Sequence, residues 1–118
     1  MYTVKMDQAE LMRLSKRDVR CFIGGDKMNT PVKSEHITMG MTEVPANTDM
    51  LPHTHETEEE IIFVVEGAGE VVIGGVTEQI EPFTAVKFPV GLEHQTRNTG
   101  SAPLKFVFIF NPVFSFGR

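Results

Sequence analysis

Pro52-His53-Thr54-His55-Glu56-Thr57-Glu58-Glu59-Glu60 runs directly into Ile61-Ile62-Phe63-Val64-Val65-Glu66-Gly67. An extended chain alternates faces, so His53 and His55 point the same way. Their Cα atoms would lie about 6.6 Å apart at roughly 3.3 Å of rise per residue. Two imidazoles at that spacing can converge on one metal ion, each about 2.1 Å from it. A carboxylate from a neighbouring strand would add a third ligand. A second stretch, Pro89-Val90-Gly91-Leu92-Glu93-His94-Gln95-Thr96-Arg97-Asn98, carries a further histidine just after a turn. Pro89 and Gly91 suit that turn and would aim a short strand bearing His94 inward.

On either side of these stretches the chain reads as short strands separated by turn residues. From His36 onward they are His36–Val44, Met50–Glu56, Glu60–Val65, Glu70–Ile73, Val76–Ile80, Thr84–Phe88, Glu93–Asn98 and Leu104–Phe110. Gly74-Gly75 is a two-residue hairpin loop. Strands recurring about every ten residues mean an all-β sandwich or barrel. Before His36, Val19–Ile23 reads as a strand closed by Gly24-Gly25, residues 26 to 34 as a loop, and Asp7–Leu14 as a weakly patterned short helix. No internal repeat or low-complexity tract interrupts the series.

The 118 residues suit one domain, with 41% apolar and 23% charged residues, the balance of a globular protein. The net charge is −5 and the 11 Lys and Arg residues are scattered. Nothing in that distribution suits nucleic acid or an anionic membrane, and no apolar stretch reaches the length of a membrane span. Cys21 is the single cysteine. With no signal-like N-terminus, it leads to the expectation of a cytoplasmic protein. Cys21 itself reads as a small packed residue.

The two histidine stretches together resemble the cupin motifs. The first, Gly-x5-His-x-His-x(3,4)-Glu-x6-Gly, is matched in its later part by His53, His55, Glu60 and Gly67. The second, Gly-x5-Pro-x-Gly-x2-His-x3-Asn, is matched by Pro89, Gly91, His94 and Asn98. Fifteen residues, 68 to 82, separate them, as in the smallest microbial cupins. The opening glycines of the two motifs fall on Asn47 and Phe83. Asn tolerates a left-handed backbone, whereas Phe83 puts the customary turn there in question.

The resemblance implies an all-β fold, the double-stranded β-helix (cupin, or jelly-roll) barrel of RmlC-like proteins. It makes residues 1–118 a single domain with a motif core at 53–98 and a peripheral N-terminal segment, 1–35, available for dimer formation. It makes His53, His55, Glu60 and His94 the ligands of one divalent transition metal: iron, manganese, nickel, cobalt or zinc. Glu59 also fits the looser spacing, but Glu60 keeps the six-residue step to Gly67. The implied function is a metal-dependent enzyme on a small oxygenated organic molecule, of dioxygenase, isomerase, decarboxylase or lyase type. The alternative is a cupin that binds or senses a small molecule without turning it over.

If Glu60 and His94 face inward, Ile62, Val64 and Thr96 should too. Met39, Met41, Phe106, Phe108, Phe110 and His36 are further candidates for pocket lining. Arg97 should face away from the pocket. The uninterrupted apolar runs Ile61–Val65 and Phe106–Phe110 call for cover on both faces, which leads to the expectation of a homodimer.

Overall fold

Alternation along Thr38–Val44 sets the inside and outside of the molecule. In the computed structural model, which describes residues 2–116, Thr38, Gly40, Thr42 and Val44 are buried and Met39, Met41 and Glu43 are not. The same period of two runs through Leu104–Asn111, where Leu104, Phe106, Phe108 and Phe110 are buried. It recurs in His94–Asn98, where His94, Thr96 and Asn98 are buried.

Eleven strands follow a 3-10 turn at Met6–Gln8: β1 (Leu11–Leu14), β2 (Arg17–Gly24), β3 (Val32–Lys33), β4 (Thr38–Val44), β5 (Thr48–Asp49), β6 (Glu59–Glu66), β7 (Gly69–Ile73), β8 (Val76–Ile80), β9 (Ala85–Phe88), β10 (His94–Asn98) and β11 (Leu104–Asn111). A seven-stranded sheet runs β1-β2-β4-β11-β6-β9, with β3 parallel to β2 at its side; a four-stranded sheet runs β5-β10-β7-β8. Apart from β2–β3, the pairings are antiparallel. The inward faces of both sheets share one core that includes Ile62, Val64, Phe106 and Phe108 from one and Val71 and Ile80 from the other.

This is the jelly-roll architecture, with one difference from the expected barrel. The strand ladders remain two sheets and do not close into one. The chain after β5 continues along β10 at the site, where the amides and carbonyls of His53 and His94 exchange hydrogen bonds of 2.9 Å in an antiparallel bridge.

Two sequence expectations about the N-terminal part need correction. Asp7–Leu14 is not helical: a 3-10 turn at Met6–Gln8 gives way to β1, which pairs with β2. The first 35 residues are also more than a peripheral segment, because β2 pairs with β4 and Val19 is fully buried. Tertiary pairing overrides a weak local preference here.

Backbone close to the motifs explains some of their residues. Gly67 has φ +84, and a Cβ there would run into the Pro103 carbonyl. Asn98 is buried, with its Nδ2 2.9–3.0 Å from the carbonyls of Val44, Pro45 and Ala102 and its Oδ1 accepting from the Gly100 amide at 3.0 Å. It therefore ties the 45–47 and 99–102 turns to β10. Asn47 and Phe83, which stand where the motifs place glycine, both adopt left-handed conformations, φ 52 and φ 69. The turn doubted at Phe83 does form, with Thr84 N donating to Glu81 O at 3.1 Å. A bulky residue held there costs about 1–2 kcal/mol.

Candidate metal centre

Four side chains from different parts of the chain meet on the inner side of the sandwich. His53 and His55 come from the extended segment between β5 and β6, Glu60 from β6 and His94 from the start of β10. His53 and His55 do not belong to a continuous strand, as the sequence suggested. Their segment is held by the His53 bridge to His94 and by the Gly91 amide donating to the His55 carbonyl at 2.8 Å. One ligand atom of each of the four residues lies within 4.8 Å of the others. Ligands on one ion, each about 2.1 Å from it, sit no more than about 4.2 Å apart, so small rotations would complete the sphere.

The polar atoms here fit an ion better than they fit one another. Glu60 Oε1 is 3.5 Å from His55 Nε2 and 3.4 Å from His94 Nε2. Those approaches make no hydrogen bond, and both Nε2 atoms are buried without a partner among the described residues. Orphaned buried nitrogens are costly unless something outside the chain satisfies them. His53 Nδ1 lies 3.0 Å from the Leu51 carbonyl and His94 Nδ1 3.4 Å from the Leu92 carbonyl. A proton on each Nδ1 leaves the Nε2 lone pair free for a cation, the usual arrangement behind a metal-bound histidine.

Electrostatics support the same reading. Burial alone would raise the Glu60 carboxyl, but the imidazoles of His55 and His94 beside it outweigh burial and hold it below its ordinary value. Burial lowers His53, with smaller contributions from its neighbours. Both shifts favour an ionised carboxylate beside a neutral imidazole, the states in which these groups bind metal.

Aromatic rings fix the ligands. Phe88 stacks on His94 with centroids 4.1 Å apart and planes at 19°. Phe110 and Phe114 present themselves edge-on to His55 at 4.9 and 5.0 Å. Phe114 belongs to the chain after β11 and is clamped to β4. Its amide donates to Thr38 Oγ1 at 2.8 Å, and Thr38 Oγ1 lies 2.9 Å from its carbonyl.

The four residues open onto a cavity of about 330 Å³. Of the residues expected to line it, Thr96, Phe106, Phe108 and Phe110 do so. Ile62 and Val64 point inward but are buried in the core beneath. Met39 and Met41 lie on the outer face of β4, because the strand's register turns Thr38, Gly40 and Thr42 inward. His36 is exposed, just before β4. Arg97 pairs with Asp49 at 3.2 Å and Glu70 at 2.8 Å, away from the cavity. The sequence reading missed Arg17, Thr42, Met50, Thr54, Phe88, Phe114 and Phe116, all of which line it. For Arg17 a signal existed: in Arg17-Asp18-Val19-Arg20-Cys21 it shares the face of Val19 and Cys21, both buried.

A small jelly roll with three histidines and a glutamate converging inside it is the arrangement that defines a metal-binding cupin. The cupin domain family model matches residues 40–110, and the chain belongs to that family. Among curated relatives, the polyketide synthase CurC of Streptomyces cyaneus is 29% identical over 75 residues, 64% of this chain and 49% of that protein. The chain thus spans about half the length of that relative. Among solved structures, BH2720 from Bacillus halodurans has a TM-score of 0.68 at 25% identity, covering 72% of this chain and 70% of that one. The polyketide cyclase RemF from Streptomyces resistomycificus shares the fold, with a TM-score of 0.78 at 21% identity over 100% of this chain and 88% of its own. No helix among the described residues is long and apolar enough to cross a membrane.

Proposed function

We propose that this protein is a metal-dependent enzyme acting on a small oxygenated organic molecule, with His53, His55, Glu60 and His94 holding one divalent transition metal. The observation that carries this is the pair of buried, partnerless Nε2 atoms beside an ionised carboxylate. Such an ion, when bound, supplies a Lewis acid with open positions for substrate oxygens. The polyketide names of CurC and RemF favour a substrate with several carbonyl or enol oxygens.

The remaining chemistry falls to the chain. The titratable groups lining the cavity are Arg17, His53, His55, Glu60 and His94. A general acid or base separate from the four ligands is therefore missing from the described lining, and a proton must leave through Glu60 or through water. The phenylalanines offer flat apolar walls to an unsaturated substrate. Activation by chelation, with little side-chain acid–base work, suits dioxygenase-like chemistry best among the four reaction types. The same scarcity of acid–base groups favours, as a second reading, a cupin that holds its ligand unchanged.

The two separate in one experiment. Cobalt-loaded protein should show a perturbed visible spectrum with catechols and β-diketones. Iron-loaded protein should then consume O₂ with at least one of them. Spectral change with no turnover of any compound would favour the binding reading, and no spectral change would count against both.

We also propose a homodimer formed through the outer face of the seven-stranded sheet. Ile61 and Phe63 are 40% and 41% exposed there, flanked by half-buried Val107, Ile109, Met39 and Met41. Light scattering at micromolar concentration should give twice the chain mass, and Phe63→Glu should halve it.

A further inference from the structure

The cavity has a second charged end. Arg17 opens β2 two residues before Val19, on the same inward face, and Val19 stands opposite Thr42 on β4. Thr42 in turn faces Phe106 on β11, whereas Glu60 faces Phe110. The registers of Val19 and Glu60 are thus four residues apart along β11, about 13 Å of strand, and Arg17 enters the cavity from the Val19 side. Phe106, Phe108 and Phe110 line the way between them.

Arg17 is incompletely satisfied. Its one hydrogen bond among the described residues is from Nη1 to the Ser15 carbonyl at 3.0 Å. Arg13 pairs with Asp18 and Arg97 with Asp49 and Glu70, whereas Arg20 donates to the carbonyls of Met6 and Ala9. No described carboxylate pairs with Arg17. A guanidinium has five N–H donors in a fixed fork suited to a planar oxyanion. Half-buried in the cavity wall, it keeps donors available to a ligand there. Burial lowers its pKa, and the charge of Glu60 partly offsets that. An ion bound by Glu60 would take up that charge and leave Arg17 unbalanced.

We propose that Arg17 is a specificity-determining residue that anchors a carboxylate on the substrate, at the opposite end of the cavity from the metal ligands. This rests on the reading of the metal site above. It narrows the substrate class to a molecule with metal-chelating oxygens at one end, a flat apolar middle and a monoanionic carboxylate at the other. A dianionic phosphate suits the site less well, because Arg17 is the one permanent cation in the described lining.

The test uses cobalt-loaded full-length protein and a matched pair of probes, 3,4-dihydroxybenzoate and 3,4-dihydroxybenzamide. They share the chelating diol and the ring and differ in one charge. Calorimetry reads affinity and the visible spectrum reads chelation independently. Wild type should bind the acid on the order of tenfold or more tightly than the amide, since a charged hydrogen-bonded pair is lost with the amide. Arg17→Met should bring the two within about threefold of each other while both still perturb the cobalt spectrum, and Arg17→Lys should fall between. Equal affinity for acid and amide in wild type overturns the proposal, and so does a preference for acid that survives in Arg17→Met. Either of those results with a perturbed spectrum leaves the metal reading standing. Failure to load cobalt, or a silent spectrum with both probes, strikes the metal reading instead. In that case the acid–amide ratio in metal-free protein, read as a shift in Tm, still decides the role of Arg17. The wild-type ratio alone decides it if neither variant folds.

Discussion

The two ends of the cavity are built in opposite ways. At the metal end the three histidines are each doubly held: His53 by a backbone bridge and the Leu51 carbonyl, His94 by that bridge and the Phe88 ring, and His55 between Phe110 and Phe114. At the far end a single long side chain reaches in from the first residue of β2, held by one carbonyl. The first end is a rigid cage that fixes ligand geometry before anything binds. The second is an adjustable arm, suited to select among molecules. Geometry is therefore expected to depend on the first and preference on the second.

The contrast is most easily broken at Phe88. Phe88→Ala removes a fully buried ring from the core as well as the stack on His94. It should cost about 3–5 kcal/mol in chemical denaturation and weaken metal binding in the same variant. If metal affinity survives while stability falls, the ring fills space and does not position the histidine. Thr38→Val comes next. It deletes both hydrogen bonds to Phe114, and should cost about 1–3 kcal/mol. Hydrogen exchange should quicken in residues 112–116 and leave β4 unchanged. Arg17→Met should move stability by no more than about 0.5 kcal/mol and leave metal affinity within twofold of wild type. A large change in either would make Arg17 part of the cage.

Acid provides a further contrast, since Arg17 does not titrate in any useful range. His53 is lowered by burial below the ordinary imidazole value of 6.5. Its neutral form, the one that binds metal, therefore persists as the pH falls through that value. In metal-free protein the His53 ring, followed by NMR, should therefore titrate below its ordinary value. In metal-free protein the sign is also fixed. The unfolded chain takes up its proton on His53 before the folded one does, so stability falls as the pH drops through the ordinary imidazole range. Glu60, also lowered, adds stability that is present above the ordinary carboxylate range and is lost as the pH falls through the folded-state value. A His53 ring titrating at or above the ordinary imidazole value in metal-free protein would contradict the lowering by burial.

The same division governs what could be read from sequence. His53, His55 and Glu60 lie within eight residues and His94 follows its own turn, so two short stretches sufficed to show the resemblance to the cupin motifs that makes all four ligands. Phe88 and Phe114 reach the site through strand pairing and a clamp to Thr38, 76 residues away in sequence, and no local pattern announces such contacts. Met39 and Met41 were taken for lining because they are apolar. The register of β4 turns small Thr and Gly inward instead, and Gly40 is needed because a Cβ there would run into the Arg20 carbonyl on β2 and the Phe108 ring. Arg17 was legible through its place in the alternation of β2, but only once β2 was known to lie in the sheet.

The most direct test of the central claim is metal content measured side by side in wild type, Glu60→Ala and Glu59→Ala. Glu59 lies on the opposite face of β6 and is ion-paired to Lys87 at 3.4 Å. Purified wild type and Glu59→Ala should each carry close to one divalent ion per chain, and Glu60→Ala should carry little or none. Full occupancy in Glu60→Ala, or loss of the ion in Glu59→Ala, would contradict the four-residue site.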